Sequence, residues 1–317
     1  VAGLVASTLH LDDDAWRAGL ATGRFSLGRA ADGAFSAAVV NQGELRSTSG
    51  GRVLLIGGAG GVRNDGLIEA PDGQVVLAAG GQVDLVDTAT PRLGLQLSAP
   101  QGEVQNLGSL SASGGRIDLQ AAMVNQQGIV RADSLGTGAG GQVLISASQG
   151  ATLAAGSRTS ADGASNGGQV LVDAGAGTLL ASGGLSALGG SGMGGSIGLL
   201  GRQVGLLDGA VADASGATGG GAVRVGGGLR GADPAWRNAE ATHMARGAQL
   251  RADALVNGHG GLVVLWGSRT ARAYGSFSAR GGALGGDGGF IETSGGWIDV
   301  RPQAVHTAAP AGRAGQW

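Results

Sequence analysis

The sequence predicts an all-β protein, a right-handed single-stranded parallel β-helix (β-solenoid) of about a dozen coils of about 26 residues. Three observations support this fold class. A glycine-rich phrase recurs at a nearly constant interval, apolar residues alternate behind each copy of it, and the composition is rich in glycine and poor in aromatic residues. Such an interval is typical of architectures in which each repeat must stack on its neighbours to bury an apolar face.

The recurring phrase is a Gly-Gly or Asp-Gly pair followed by apolar, variable and apolar residues. Between Gly115 and Gly221 its copies are 26, 27, 27 and 26 residues apart. Alternation with a period of two predicts a strand with one buried face. We therefore expect inward columns at the apolar positions, such as Val143, Ile145, Val170, Val172, Ile197 and Leu199. The variable residue between them is expected to face solvent, as at Leu54, Asp84, Asp118, Leu171, Gly198, Arg224 and Glu292.

A second phrase lies between the copies of the first, as in "GLIEA" from Gly66 and "GSLSA" from Gly108. An asparagine often precedes its glycine by two residues, at Asn41, Asn64 and Asn106. Each repeat therefore holds at least two strands joined by tight glycine turns. The asparagines are expected to hydrogen-bond to one another along a turn column. Where two copies of the first phrase are only 8 or 7 residues apart, at Gly73/Gly81 and Gly289/Gly296, we interpret them as two strands of one coil.

The composition of the 317 residues agrees with a solenoid. The chain contains 68 Gly but only six Pro, and 42% of its residues are hydrophobic while 3% are aromatic. No Gly-X-Y period is present, which excludes collagen. We expect one continuous β-helix over residues 1–317, a rod roughly 55–60 Å long. The only helix expected is a short one in "LDDDAWRAGL", capped by Asp12 or Asp13.

The charge pattern excludes several classes of function. All 21 basic residues are Arg, against 23 acidic residues. The absence of Lys excludes a phosphate-loop lysine and a Schiff-base lysine, and the scattered Arg residues predict no nucleic-acid partner. Without Cys there is no disulfide or thiol catalysis, which suits a chain that crosses bacterial membranes unfolded. No apolar run is long enough to span a membrane.

Two groups of phrases resemble a known family in a shared order. The first group is "VAGLVASTLHLDDDAW", "VVNQGELRS", "GGRVLLIG" and "VRNDGLIEAPDGQVVLAAGGQVDL". The second is "VGLLDGAVADASG", "GGGAVRVGGGLRGADPAWRNAEATHM", "GHGGLVVLW", "YGSFSARGG" and "GGDGGFIETSGG". Together they resemble the filamentous haemagglutinin-type exoproteins and adhesins of two-partner secretion. Residues 1–100 resemble part of the secretion domain, and residues 101–317 resemble the adjoining coils, with a loop insert at about 228–247.

The resemblance implies a protein that is secreted by, or displayed on the surface of, a Gram-negative bacterium. It implies export of the full-length chain through an outer-membrane two-partner-secretion pore. The family's secretion domain begins with a capping segment that carries an Asn-Pro-Asn-type motif. This sequence contains no Asn-Pro, so we expect it to begin partway into that domain.

Three classes of function remain open on the residues: a structural or adhesive surface protein, a carbohydrate-active β-helix enzyme, and a ligand-capture module. Asp84 and Asp118 share the outward slot, but 34 residues separate them, which is more than one coil. The four His residues show no metal-ligand spacing. We therefore favour the surface protein, serving attachment or extracellular fibre or biofilm-matrix formation. We expect no enzyme activity and no catalytic, cofactor or metal site.

Two sets of residues are candidates for contacts with partners. The step from Gly221 to Gly261 is 40 residues, and the excess is expected to form an insert that either binds a ligand or packs as a lid over an apolar strip. Its candidate interaction residues are Pro234, Trp236, Arg237 and His243. Surface glycans or host cells are the ligands considered. Axial contacts that join rods end to end are expected from Phe290, Trp297 and Trp317.

Overall fold

The computed structural model describes residues 3–28, 37–87, 93–134 and 138–317. These ranges contain one α-helix, α1 (Asp13–Thr22), and one short 3-10 turn, Leu229–Gly231. All other regular structure is β, in strands that follow one another along the chain: β1 (Gly3–Ser7), β2 (Arg24–Leu27), β3 (Val39–Asn41), β4 (Glu44–Arg46), β5 (Arg52–Gly57), β6 (Val62–Asn64), β7 (Leu67–Glu69), β8 (Gln74–Asp87), β9 (Leu93–Pro100), β10 (Glu103–Asn106), β11 (Ser109–Ser111), β12 (Arg116–Gln126), β13 (Ile129–Arg131), β14 (Gln142–Leu153), β15 (Arg158–Ser160), β16 (Gln169–Asp173), β17 (Thr178–Ala181), β18 (Gly184–Ser186), β19 (Ser196–Leu200), β20 (Gln203–Leu206), β21 (Val211–Asp213), β22 (Ala222–Val225), β23 (Ala241–Met244), β24 (Gln249–Arg251), β25 (Leu262–Gly267), β26 (Thr270–Ala273), β27 (Ser276–Ser278), β28 (Phe290–Gly295), β29 (Ile298–Val300) and β30 (Ala304–His306).

The strands stack in parallel into three faces of a rod. Face 1 carries the Gly-Gly phrase and consists of β1, β5, the first half of β8, the first halves of β12 and β14, and then β16, β19, β22, β25 and β28. Face 2 consists of β3, β6, β10, the second halves of β12 and β14, and then β17, β20, β23, β26 and β29. Face 3 consists of β4, β7, β11, β13, β15, β18, β21, β24, β27 and β30. The predicted parallel β-helix is confirmed.

One apolar core runs along the inside of the rod. Val143 pairs in register with Val170, Val170 pairs with Ile197, and Ile197 pairs with Val223, and all four side chains are buried. Ile145, Val172 and Leu199 form the next inward column and are buried as well. The inward positions predicted from the alternation are therefore confirmed on face 1.

The Gly-Gly phrase is explained by the close stacking of backbones at the corner that precedes face 1. A Cβ at Gly168 would lie 2.2 Å from the carbonyl oxygen of Gly141, and a Cβ at Gly195 would lie 2.1 Å from that of Gly168. No side chain fits at such a distance. The corner therefore requires glycine in each coil, and this requirement repeats the phrase at the coil interval.

The predicted asparagine column is also confirmed. The Asn41 side-chain amide donates to Asn64 Oδ1 at 2.8 Å, and Asn64 in turn donates to Asn106 Oδ1 at 2.8 Å. Asn106 continues the ladder by donating to Gln126 Oε1 at 2.7 Å. These four side chains are buried at the turn between faces 2 and 3. The ladder satisfies amide groups that would otherwise be unpaired inside the rod.

The outer side of face 1 is covered in the first coils, which the alternation did not predict. An outer layer, formed by α1, β2, the second half of β8 and β9, lies over it; β8 pairs antiparallel with both β2 and β9. Leu54 is 1% exposed because it belongs to a second apolar core beneath this layer. The expectation that Leu54, Asp84 and Asp118 face solvent is therefore wrong, since the two carboxylates are 2% and 1% exposed.

The predicted helix is confirmed within this layer. The Asp12 side chain accepts a hydrogen bond from Ala15 N at 2.7 Å and so caps the first turn of α1. Gly23 ends the helix in the left-handed conformation, with its N–H donating to the carbonyl oxygen of Gly19. The aromatic ring of Trp16 then meets that of Phe25 on β2, with their centroids 5.4 Å apart.

The described residues form ten coils rather than about a dozen. The phrases at Gly73 and Gly81 were interpreted as two strands of one coil. Both instead lead into one strand, β8, which begins just after Gly73 and leaves the coil after Ala79 to enter the outer layer. The second half of β8 and β9 therefore belong to the outer layer, whereas the spacing of the glycine phrases had assigned these residues to coils. The parallel pairing of Ile68 with Leu110 on face 3 bridges the excursion. At the other short spacing, β28 and β29 are two strands of one coil, as predicted.

Candidate functional site

The predicted insert is a lid on the outer side of face 1. The segment between β22 and β23 turns at Leu229–Gly231 and brings Trp236 back onto β19 and β22. Gly198 makes room for the ring, because a Cβ there would lie 2.5 Å from it. The Arg224 guanidinium lies 4.7 Å from the Trp236 ring centroid. Burial lowers the pKa of Arg224, and the charge of Asp233 opposes that shift.

Polar contacts hold the lid across several coils. Arg237 Nε lies 3.4 Å from Asp173 Oδ1 on β16. At the other side, the backbone N–H of Arg230 donates to both carboxylate oxygens of Glu292 on β28, at 3.0 and 2.9 Å. The lid therefore reaches from β16 to β28 and covers the variable positions that were expected to be outward. Glu292 has a structural partner here.

The structure does not bring the four candidate residues of the insert together. Trp236 and Arg237 lie over face 1, and Pro234 is exposed within the insert. His243 is not part of the insert, because it lies on β23, on the outer side of face 2. The interpreted span of 228–247 is thus too long at its C-terminal end, since Ala241–Met244 is a regular strand of the stack.

The three candidate axial residues also divide between two faces. Phe290 begins β28 on face 1, where Gln316 forms a parallel bridge to it. Trp317 is exposed beside it, and its indole N–H donates to Thr293 Oγ1 at 3.0 Å. Trp297 belongs to face 2, where the Arg272 guanidinium lies 5.6 Å from its ring centroid. Axial contact through these residues stays a prediction.

The carboxylates considered for catalysis have structural partners. Asp84 receives hydrogen bonds from Arg24, Ser26 and Gln82. Burial acts to raise the pKa of Asp84, but these hydrogen bonds outweigh it and hold the pKa below its usual value. On the outer side of face 1, Asp118 forms an ion pair with Arg116 at 2.7 Å and accepts a hydrogen bond from the Gln74 side chain at 3.0 Å. Each of these buried carboxylates is therefore paired with an arginine whose own side chain stays partly exposed.

Two concave surfaces were missed by reasoning from the sequence. A groove of about 500 Å³ lies along face 3, lined by Asp133, Arg158, Asp162 and Asp213 among others. Burial raises the pKa of Asp162, and the charges of Asp133 and Asp213 add to the shift against the hydrogen bonds from Leu188 and Ser186. Over the parts of the chain that the structure describes, no group of three His, Cys, Asp or Glu could hold a metal ion.

The second concave surface is a cleft of about 310 Å³ on the outer side of face 2. Gly205 forms its floor, and Leu180 and His243 are the residues paired with Gly205 on the neighbouring strands. Arg272 lines one end of the cleft. The signal was present in the sequence as a glycine at a strand position that carries side chains in neighbouring coils. The sequence alone does not show that this glycine lies between Leu180 and His243, because their juxtaposition depends on the register of three strands.

Comparison with known proteins gives a likeness to a solved structure. No family model matches the chain, and no curated protein matches it. Among solved structures, the chain is similar to the crystal structure of the HMW1 secretion domain from Haemophilus influenzae, with a TM-score of 0.66 and 26% sequence identity. The match covers 99% of this chain and 74% of that one. Within the described ranges, no helix is long and apolar enough to cross a membrane. The chain therefore shares the fold of a bacterial secretion domain along nearly its whole length.

Proposed function

We propose that this chain is part of a secreted exoprotein exported by two-partner secretion, and that it serves as a structural or adhesive rod at the surface of a Gram-negative bacterium. The observation that carries the proposal is the match to the HMW1 secretion domain over 99% of the chain. The order of family-like phrases in the sequence supports the same conclusion. The partner is an outer-membrane two-partner-secretion pore, which acts on the full-length protein.

The architecture suits passage through a pore. Each coil pairs only with the coil before it and the coil after it, apart from the outer layer and the lid. A stack of this kind can add one coil at a time, since each new strand finds its partner already in place. A chain that emerges progressively outside the cell would therefore bury its apolar columns as it appears, without waiting for distant segments.

The residues on the outer side of face 1 and in the outer layer support a scaffold rather than an enzyme. The three acidic side chains in the variable slot, Asp84, Asp118 and Glu292, each have arginine or backbone partners. Further along the rod, the Trp236 ring packs on the outer side of face 1 at Gly198. We infer that the outer layer and the lid stabilise the rod and leave faces 2 and 3 for contacts with other molecules.

Export can be tested in Gram-negative cells that produce the full-length precursor with or without its pore partner. The measurement is the fraction of protein in the medium, compared with a periplasmic marker. We expect secretion that depends on the pore, for the wild type and for Gln169→Asp, an exposed substitution on β16. Equal amounts in the medium with and without the pore would refute the proposal.

A further inference from the structure

The outer side of face 2 carries aromatic and basic side chains that packing does not require. His243, Tyr274 and Trp297 lie on successive coils, and Arg272 lies between them. The His243 and Tyr274 rings meet edge to face with their centroids 5.7 Å apart. Trp297 is 53% exposed. The chain has only one Tyr and five Trp, so this row, the aromatic strip, concentrates a scarce residue class in solvent.

The aromatic strip continues into the cleft over Gly205. Gly205 lies between Leu180 and His243 in the register, and the missing side chain opens the cleft. Gln203, Thr178 and Thr270 line the same cleft and offer amide and hydroxyl groups at its rim. A concave apolar floor with a few polar groups around it is the usual form of a small-ligand site.

The charge of the aromatic strip favours an anion. Asp299 lies beside Arg272 in the register of β26 and β29. Tyr274 donates to Asp299 Oδ2 at 2.8 Å, and Arg301 pairs with Asp299 at 3.0 Å, so this carboxylate is already neutralised. Arg272 has no carboxylate within ion-pair distance in the residues that the structure describes. An exposed guanidinium of this kind recognises carboxylates through two parallel hydrogen bonds.

We propose that the cleft and the aromatic strip together bind a saccharide that carries a carboxylate, such as a uronic acid chain. Sugar rings present an apolar C–H face, which suits the rings of Trp297 and His243, and hydroxyls, which suit the polar rim. Arg272 would bind the carboxylate. Because adjacent coils lie about 4.8 Å apart, a linear chain along the rod would meet these groups in sequence. This binding role does not depend on the export route.

The probe is an oligomer of galacturonic acid, measured with the purified chain by titration calorimetry and NMR. The same oligomer as its methyl ester removes the charge and keeps the sugar rings. We expect Arg272→Gln to weaken binding about tenfold or more, the effect of losing hydrogen bonds to a charged group. Arg246→Gln, on an exposed turn outside the cleft, is the matched control and should bind as the wild type does.

Gly205→Val tests the cleft itself. A Cβ at Gly205 would lie 2.9 Å from Leu180 Cδ2, the end of a flexible side chain, so valine fills the floor without meeting backbone at that distance. Binding should fall below detection in this variant. If the variant is not folded by circular dichroism, Arg272→Gln decides alone, since its side chain is exposed.

Four results would overturn the proposal. They are no binding of the oligomer at millimolar concentration, equal binding of the methyl ester, unchanged affinity in Arg272→Gln, or equally tight binding of poly-glutamate. The last result would show that the site accepts any carboxylate chain, including an acidic peptide. The proposal would be supported if Arg272→Gln and Gly205→Val both lose affinity for the oligomer, and if the wild type binds neither the methyl ester nor poly-glutamate.

Discussion

Removing Asn64 should weaken the rod at the turn between faces 2 and 3. The Asn64 side chain is fully buried, accepts from Asn41 and donates to Asn106, each at 2.8 Å. Asn64→Ala deletes both bonds and leaves Asn106 Oδ1 without its donor from the ladder. Two hydrogen bonds at about 1 kcal/mol each, with about 1–3 kcal/mol for the orphaned acceptor, give a loss of roughly 3–5 kcal/mol in the free energy of unfolding.

The effect should be local as well as global, because a stack of coils loses structure first at its weakest interface. Urea unfolding followed by circular dichroism measures the overall loss. Hydrogen exchange measures whether the amides of β3, β6 and β10 lose protection before those of distant strands. Asn125→Ala is the control, since this partly exposed side chain donates a hydrogen bond to Glu103 at the surface and its loss should cost less than about 0.5 kcal/mol. A loss below about 1 kcal/mol for Asn64→Ala, with unchanged exchange, would refute the stabilising role of the ladder.

Four further predictions follow from the same structure. Val170→Asp should cost at least about 4 kcal/mol in urea unfolding, because it places an unpaired charge in the dry core; a cost near zero would show that the inward register is wrong. Gly198→Val should displace Trp236, so a red-shifted indole emission is expected in this variant and absent when Trp236 is also replaced by Phe. The pKa of Asp162 is raised in the folded state, so its stabilising contribution is complete below about pH 4, the unfolded value, and is lost as the pH rises through the folded value. The free energy of unfolding of Asp162→Asn, measured in urea, should therefore increase relative to that of the wild type between about pH 4 and neutrality. A difference that does not change with pH would contradict this. End-to-end association predicts concentration-dependent growth in sedimentation velocity; a single monomer boundary at micromolar concentration would exclude it.

Much of the fold could be predicted from the sequence because its causes are local and repeat in every coil. A glycine is needed wherever one backbone stacks on the next, as at Gly168, and an inward valine is needed at the same place in each coil, as at Val170. Repetition turned both requirements into a visible interval. The asparagine ladder was readable for the same reason.

The outer layer and the candidate sites could not be read in this way because they do not repeat. Leu54 is covered by a single excursion of the chain, and Asp84 is itself part of that excursion. A variable position in the phrase does not reveal either arrangement. His243 was assigned to the insert by its place in the sequence, whereas its strand belongs to face 2. The cleft depends on Gly205 meeting Leu180 and His243 across three coils, a coincidence that only the register shows.

All ten coils form one continuous stack. Hydrogen exchange with mass spectrometry over the whole chain tests this continuity most directly. The parallel pairing of β7 with β11 carries face 3 past the excursion of β8 and β9. We therefore expect the amides of β7, β11 and β13 to be protected to the same degree and to exchange together. Two separately protected blocks, divided near residue 100 and opening at different urea concentrations, would contradict a single rod.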